Sequence, residues 1–254
     1  MRRNASWYSE EAGVFDKDSL VHSELTLTPK RTNQEINFIE RILSIVRGSA
    51  IIDVPCGYGR HAVELAKRGY SVTGVELNRM FLIKAKENAR KAGVHVRLQR
   101  GDMLKLRYKE EFAAAINIFT SLGYFETDEE DRRFFKDVYH SLKTQGQFVV
   151  DFTNRDWLVR NFKKNEQHRL PGGITMLIER EFDPVSGKMT EQRTKRSPTK
   201  KKARTVTSTL RLYTANELIA LAQSAGFVFE AAFGDFDGSP LSLTSRRIIL
   251  LFRK

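Results

Sequence analysis

The sequence predicts an α/β fold in which a mostly parallel sheet is covered by helices on both faces, and three observations carry that expectation. Apolar strand-length runs alternate with amphipathic helical segments from residue 50 to residue 152, a glycine turn joins the first run to its helix, and the alternation returns near the C-terminus. Strands that are apolar throughout are buried on both faces, as in parallel sheets, whereas antiparallel sheets commonly alternate.

Residues 1–30 are mixed and turn-rich, with Trp7, Tyr8 and Phe15 as their large aromatics, and read as an N-terminal arm or lid. A helix is expected from Thr32: its hydroxyl can cap, Glu35 stands three residues on as in a capping box, and Ile36, Ile39, Ile42, Leu43 and Val46 share a face before Gly48. Then follow strand 50–54, helix 60–68, strand 71–75, helix 79–91, strands 94–99 and 113–119, helix 129–142 and strand 147–152. Past Asn154 the period changes. Segments 174–182, 188–195 and 205–213, with a turn at Asp183-Pro184-Val185-Ser186-Gly187, read as an antiparallel β insertion. Thr214, with Glu217 three residues on, marks a helix over 215–225 that stops at Gly226, and strands 227–233 and 246–252 complete the sheet. The expected organisation is an arm at 1–30, one cofactor-binding domain from 31–166 and 214–254, and a β-rich insertion at 167–213.

At 254 residues and 41% hydrophobic content the chain can bury a sizeable core. No apolar stretch approaches the roughly 18 to 20 residues of a membrane span, and the N-terminus leads into polar residues, so a cytoplasmic protein with no membrane partner is expected. Cys56 is the sole cysteine and the five histidines show no paired ligand spacing, so no metal site is expected. The net charge of +12 points to an anionic partner, yet much of it is local: Arg193, Lys195, Arg196, Lys200, Lys201, Lys202 and Arg204 occur with no acid between them. Such runs are commonly solvated hairpin tips, and this one has no interleaved aromatics on which bases would stack.

The chemistry-bearing signal lies between Ile51 and Glu76. Asp53 ends a buried strand, and Gly57 and Gly59 open a helix at Arg60, where free amides face negative charge. Glu76 closes the next strand, placed to accept hydrogen bonds from ribose hydroxyls. A dinucleotide fingerprint would need a third glycine where His61-Ala62 stands, and Pro55 removes a backbone donor. The turn therefore suits an adenosine-type ligand better than a pyrophosphate.

The segment Asp53-Val54-Pro55-Cys56-Gly57-Tyr58-Gly59-Arg60-His61 resembles the first motif of class I S-adenosylmethionine-dependent methyltransferases, in a subgroup with a β insertion similar to glycine N-methyltransferase-like enzymes. That resemblance implies a Rossmann-like seven-stranded sheet with an antiparallel last strand and S-adenosyl-L-methionine as cofactor. It further implies that Asp53, Cys56, Gly57 and Gly59 border the cofactor, that Glu76-Leu77 meets the ribose, and that Asp102-Met103 meets the adenine. Ile118 and Phe119 would lie by the methionine end, and Arg31 would pair with the cofactor carboxylate.

Methyl transfer asks the protein mainly to align a nucleophile with the methyl group, and a nearby carboxylate or phenol can orient or take its proton. Tyr124, Asp151 and Asp235 are the candidates, with Asp237 and His61 behind them; Cys56 has no base beside it and reads as packing. The expected function is methyl transfer to a small-molecule nitrogen or oxygen. The alternatives are an RNA methyltransferase using residues 193–204 and a non-catalytic cofactor-binding protein. Oligomeric state is not encoded in any motif.

Overall fold

The computed structural model of the chain describes residues 13–198 and 202–254. In chain order the elements are α1 (Lys17–Thr26), α2 (Pro29–Ile42), β1 (Ala50–Asp53), α3 (Arg60–Lys67), β2 (Ser71–Glu76), α4 (Arg79–Lys91), β3 (Arg97–Arg100) and β4 (Phe112–Asn117). They continue with α5 (Asp128–Ser141), β5 (Leu142–Thr153), α6 (Arg155–Arg160), β6 (Asn165–Leu170), β7 (Ile174–Asp183), β8 (Lys188–Arg196), β9 (Arg204–Arg211), α7 (Ala215–Ser224), β10 (Val228–Phe233) and β11 (Arg247–Arg253).

A seven-stranded sheet runs in the order β10-β11-β5-β4-β1-β2-β3, and β11 alone is antiparallel to its neighbours. Alternate residues of its strands feed two cores, as the period of two demands. Ile51, Ala114, Val149 and Ile249 pack with Ile36 and Ile39 of α2 and Ala62 and Leu65 of α3. Ile52, Ala115, Val150 and Leu250 pack on the other face with Phe134, Phe135 and Val138 of α5 and Leu218 and Ala222 of α7. On that second face Phe135 meets Phe148 edge-on, with ring centroids 5.9 Å apart, a geometry that adds to the area term.

The capping box expected at Thr214/Glu217 is formed, and α5 has another, at Thr127/Glu130, that was not anticipated from the sequence. The start of α2 differs from expectation. Thr28 is its cap, accepting from the Arg31 amide at 3.3 Å, and Pro29 takes the first helical position, where its missing N–H costs nothing. Thr32 and Glu35 therefore sit inside the helix, and both are buried.

Helix α1 within the arm, the short α6 and the edge strand β6 carry too little apolar periodicity to be anticipated. Leu20 is the only buried residue of α1, and β6 is Asn-Glu-Gln-His-Arg-Leu with no buried position. The second sheet has four antiparallel strands, β6-β7-β8-β9, and begins at Asn165. It docks through the backbone: the Arg211 amide donates to Gly123 O at 2.8 Å, and the Tyr213 hydroxyl donates to Asp131 at 2.8 Å, whose other oxygen accepts from the Gly123 amide at 3.0 Å.

A side chain at Gly123 is excluded twice, by φ of +76° and by Arg211 O, which would lie 2.2 Å from an added Cβ. Gly123→Ala is expected to lower stability by about 2–4 kcal/mol through left-handed strain and overpacking. Urea denaturation checks this, and an unchanged midpoint would contradict the docking geometry.

Candidate active site

The loops that follow β1, β2, β3 and β4 open onto one cavity of about 530 Å³. At its floor Gly57 and Gly59 turn the chain with φ of 55° and 80°. Gly59 also lets α3 approach α4, because a Cβ there would lie 2.9 Å from the Ala85 Cβ. Glu76, at the end of β2, accepts from the Gly57 amide at 2.9 Å and the Asn78 amide at 2.7 Å, so its carboxylate joins the glycine turn to the start of α4. Asp102 follows β3 and accepts from the Leu104 amide at 3.0 Å.

Beyond β4 the backbone is held in an uncommon form. Phe119 and Thr120 have φ of 69° and 58°, a region costly for side chains with a Cβ. Asp151 fixes it: its carboxylate accepts from the Phe119 amide at 2.8 Å, its carbonyl from the Thr120 amide at 3.0 Å, and Arg247 grips the carboxylate with two nitrogens at 2.6 Å each.

A second buried carboxylate, Glu35 of α2, ties that helix to the first turn of α3. One oxygen accepts from Arg31 Nε at 2.9 Å, and the other receives Arg60 Nη1 and His61 Nε2, the latter at 2.8 Å. Against the upward push of burial, hydrogen bonds from His61 and Arg60 and the Arg60 charge hold the Glu35 carboxyl at about 2. His61 moves the other way: burial, then the neighbouring Arg60 charge, lower it to about 4, so it is neutral near pH 7.

Helix α1 and the second sheet roof the cavity. Phe15, Ser19, His22 and Leu27 line it from the arm, and Leu170, Met176, Arg193, Lys195, Val206 and Leu210 line it from β6–β9. Lys195 Nζ clamps the two together, reaching Asp16 at 2.8 and 2.9 Å and Asp18 at 3.3 Å. Burial, with His168, Arg193 and Lys195 adding positive charge, pushes the His22 imidazole below its usual value.

Of the residues singled out from sequence, Cys56, Gly57, Glu76, Leu77, Asp102, Met103, Ile118, Phe119 and Tyr124 line the cavity together. Five do not. Asp53 is buried beneath the turn, where burial, opposed by Arg60 and aided by Glu76, raises its carboxyl to about 8. Gly59 serves helix packing, Asp151 is consumed by Arg247 and the Phe119 turn, and Arg31 turns to Glu35 and the Phe119 ring. Asp235 lies in an exposed loop and accepts from the Phe236 amide. Cys56 packs its sulfur against Gly74, where a Cβ would meet it at 2.8 Å, and burial pushes its thiol well up. Arg60, Asn78, His22 and Arg247 had no site role assigned from sequence, and Arg193 only one toward RNA; Arg60 adjoins the glycine motif and Asn78 caps α4, so both had a local signal. The aromatics Trp7 and Tyr8 and the basic residues Lys200 and Lys201 lie outside the described residues.

The strand order and the crevice at the β1/β4 reversal define a class I methyltransferase fold. Residues 51–146 match the family described as "Methyltransferase domain". Over that span the chain is similar to class I S-adenosylmethionine-dependent methyltransferases, whose fold it shares. It is 34% identical over 103 residues to a dTDP-3-amino-3,4,6-trideoxy-alpha-D-glucopyranose N,N-dimethyltransferase of Streptomyces venezuelae, covering 41% of this chain and 42% of that one. It is 26% identical over 154 residues to a glycine/sarcosine N-methyltransferase of Aphanothece halophytica, covering 60% and 58%. The chain thus spans less than two thirds of the length of these relatives. An S-adenosylmethionine-dependent methyltransferase of Clostridium acetobutylicum shares the fold with a TM-score of 0.78 at 17% identity, over 93% of this chain and 95% of that one. An S-adenosylmethionine-bound amino pentose methyltransferase of Micromonospora echinaspora does so at 0.67 and 20%, over 94% and 97%.

The His61 shift has a consequence for stability. Its folded pKa of about 4 lies below the ordinary 6.5, so the unfolded chain binds the proton first and stability falls as pH drops from 6.5 to 4. His61→Gln, which keeps a donor for Glu35 and does not titrate, is expected to remove a loss on the order of 3 kcal/mol from that window. Thermal melts from pH 7 to 4 compare the two; parallel curves would contradict the assignment.

Proposed function

We propose that the protein is an S-adenosylmethionine-dependent methyltransferase acting on a nitrogen or oxygen nucleophile of a small molecule. The observation that carries this reading is the continuity of the cavity. Glu76 and Asp102 on the floor and Met176, Arg193 and Leu210 on the roof face one enclosure, whose volume of about 530 Å³ suits small ligands.

The chain's donor set fits the cofactor. Glu76 presents a carboxylate at the strand end, where a ribose diol donates, and Asp102 presents one beside the Met103 backbone for an exocyclic amine. Gly57 has no Cβ, and Phe81 Cδ1, 4.0 Å from where one would stand, is the sole heavy atom within that reach, so its backbone can be approached closely. S-adenosyl-L-methionine, when bound, supplies an electrophilic methyl group on a sulfonium for in-line displacement.

The remaining work is positioning and proton handling. Burial, partly offset by Arg193, raises the Tyr124 hydroxyl to about 12, so it donates a hydrogen bond to orient a nucleophile and does not act as a base at neutral pH. His22, held neutral on α1, is a proton acceptor in the same cavity. Asp151, gripped by Arg247, positions the Phe119 turn.

The RNA alternative draws less support. Arg193 and Lys195 of the basic run face the cavity, and Lys195 is neutralised by Asp16 and Asp18, so fewer cations remain for a phosphate backbone. Among the described residues no helix is long and apolar enough to cross a membrane.

Glu76→Ala and Gly57→Val are each expected to weaken S-adenosylmethionine binding by about tenfold or more, through the lost acceptor and the filled approach. Isothermal calorimetry checks both, and wild-type affinity in the two variants would remove the cofactor site from this turn. His22→Ala is expected to lower turnover at neutral pH with little change in cofactor affinity; unchanged turnover would exclude the imidazole as proton acceptor.

A further inference from the structure

We propose that Arg60, and not Arg31, carries the positive charge that pairs with the carboxylate at the methionine end of the cofactor. The inference rests on the cofactor reading above and adds the residue that recognises that end.

Four observations converge on it. Arg60 lines the cavity, whereas Arg31 does not. The Arg60 side chain is 9% exposed against 42% for Arg31, so its charge acts through less solvent. Arg60 Nη1 is taken by Glu35 and by Thr32 Oγ1, the latter at 3.3 Å, but Nη2 is buried with no hydrogen-bond partner among the described residues. The Phe119 ring lies 5.7 Å from the guanidinium and limits where it can turn.

Charge balance makes the same point. Around the buried Glu35 carboxylate stand two guanidinium groups, the more exposed Arg31 and the largely buried Arg60, beside a neutral His61. Among the described residues the one Glu35 carboxylate answers both guanidinium groups, and the largely buried Arg60 has more to gain from a further anion than the more solvated Arg31. The Arg247 guanidinium offers no such vacancy, since Asp151 lies against two of its nitrogens. Arg31 acts one step back: by holding Oε1 of Glu35 it leaves Oε2 to fix Arg60.

The test compares S-adenosylmethionine with decarboxylated S-adenosylmethionine, which keeps the adenosine, sulfonium and amine and lacks the carboxylate. By calorimetry the wild type is expected to bind the complete cofactor at least about tenfold more tightly, as for loss of one partner of a buried charge pair. Arg60→Met should remove most of that difference and leave the decarboxylated ligand within about threefold, while Arg31→Met should cost less. Arg60→Gln, which keeps a donor toward Glu35, gives the same readout if the methionine variant fails to fold. Equal losses for both ligands in the Arg60 variants, or a larger selective loss in Arg31→Met, would overturn the assignment. A wild type that binds neither ligand would overturn the cofactor reading itself.

Discussion

The site depends on the reversal of strand order between β1 and β4. From β1 the chain winds outward through α3 and α4 on one face, while β4 leads to α5 on the other. No helix can cover the carboxyl ends of both strands at the reversal, so a crevice is left there. The glycine turn, the Glu76 loop, the Asp102 turn and the Ile118–Thr120 segment all leave strand ends that border it. Their positions follow from topology before any one side chain is considered.

Buried carboxylates then fix what topology leaves loose. Glu76 binds the two loops flanking it, Asp151 holds a left-handed backbone at Phe119 and Thr120, Glu35 joins α2 to α3, and Asp131 holds Gly123 where the second sheet docks. A carboxylate accepts several hydrogen bonds at once, so it can gather amides and guanidinium groups from separate elements. The rigid floor they create contrasts with a roof attached through α1, whose grip on the second sheet runs through the Lys195 ion pairs.

Most of the fold was legible because its signals are local. Apolar runs mark β1, β2 and β5, amphipathic periodicity marks α5, a capping box marks α7, and the glycine turn announces the floor. What escaped depends on tertiary context. Helix α1 has one buried residue of its own, and β6 is a polar edge strand, so neither has a periodicity to read. Thr32 and Glu35 imitate a capping box, but the helix had already started at Thr28-Pro29, and Glu35 answers to Arg60 and His61, 25 and 26 residues away. The i,i+4 spacing permits the Arg31–Glu35 pair, but no spacing could show that Arg60 faces the cavity.

On the proposed reading the donor lies along the loops after β1–β4, and the acceptor beneath the arm and the second sheet, where His22, Arg193, Met176, Val206 and Leu210 line the cavity together with Tyr124 of the loop after β4. Donor and acceptor would then share a roofed space of about 530 Å³, which is the basis for proposing a small acceptor. The most direct test incubates the full-length protein and methyl-labelled S-adenosylmethionine with a cell extract split into small-molecule and RNA fractions. Label is expected in a product of the small-molecule fraction and none in RNA; label in RNA alone, or in neither fraction, would contradict methyl transfer to a small molecule.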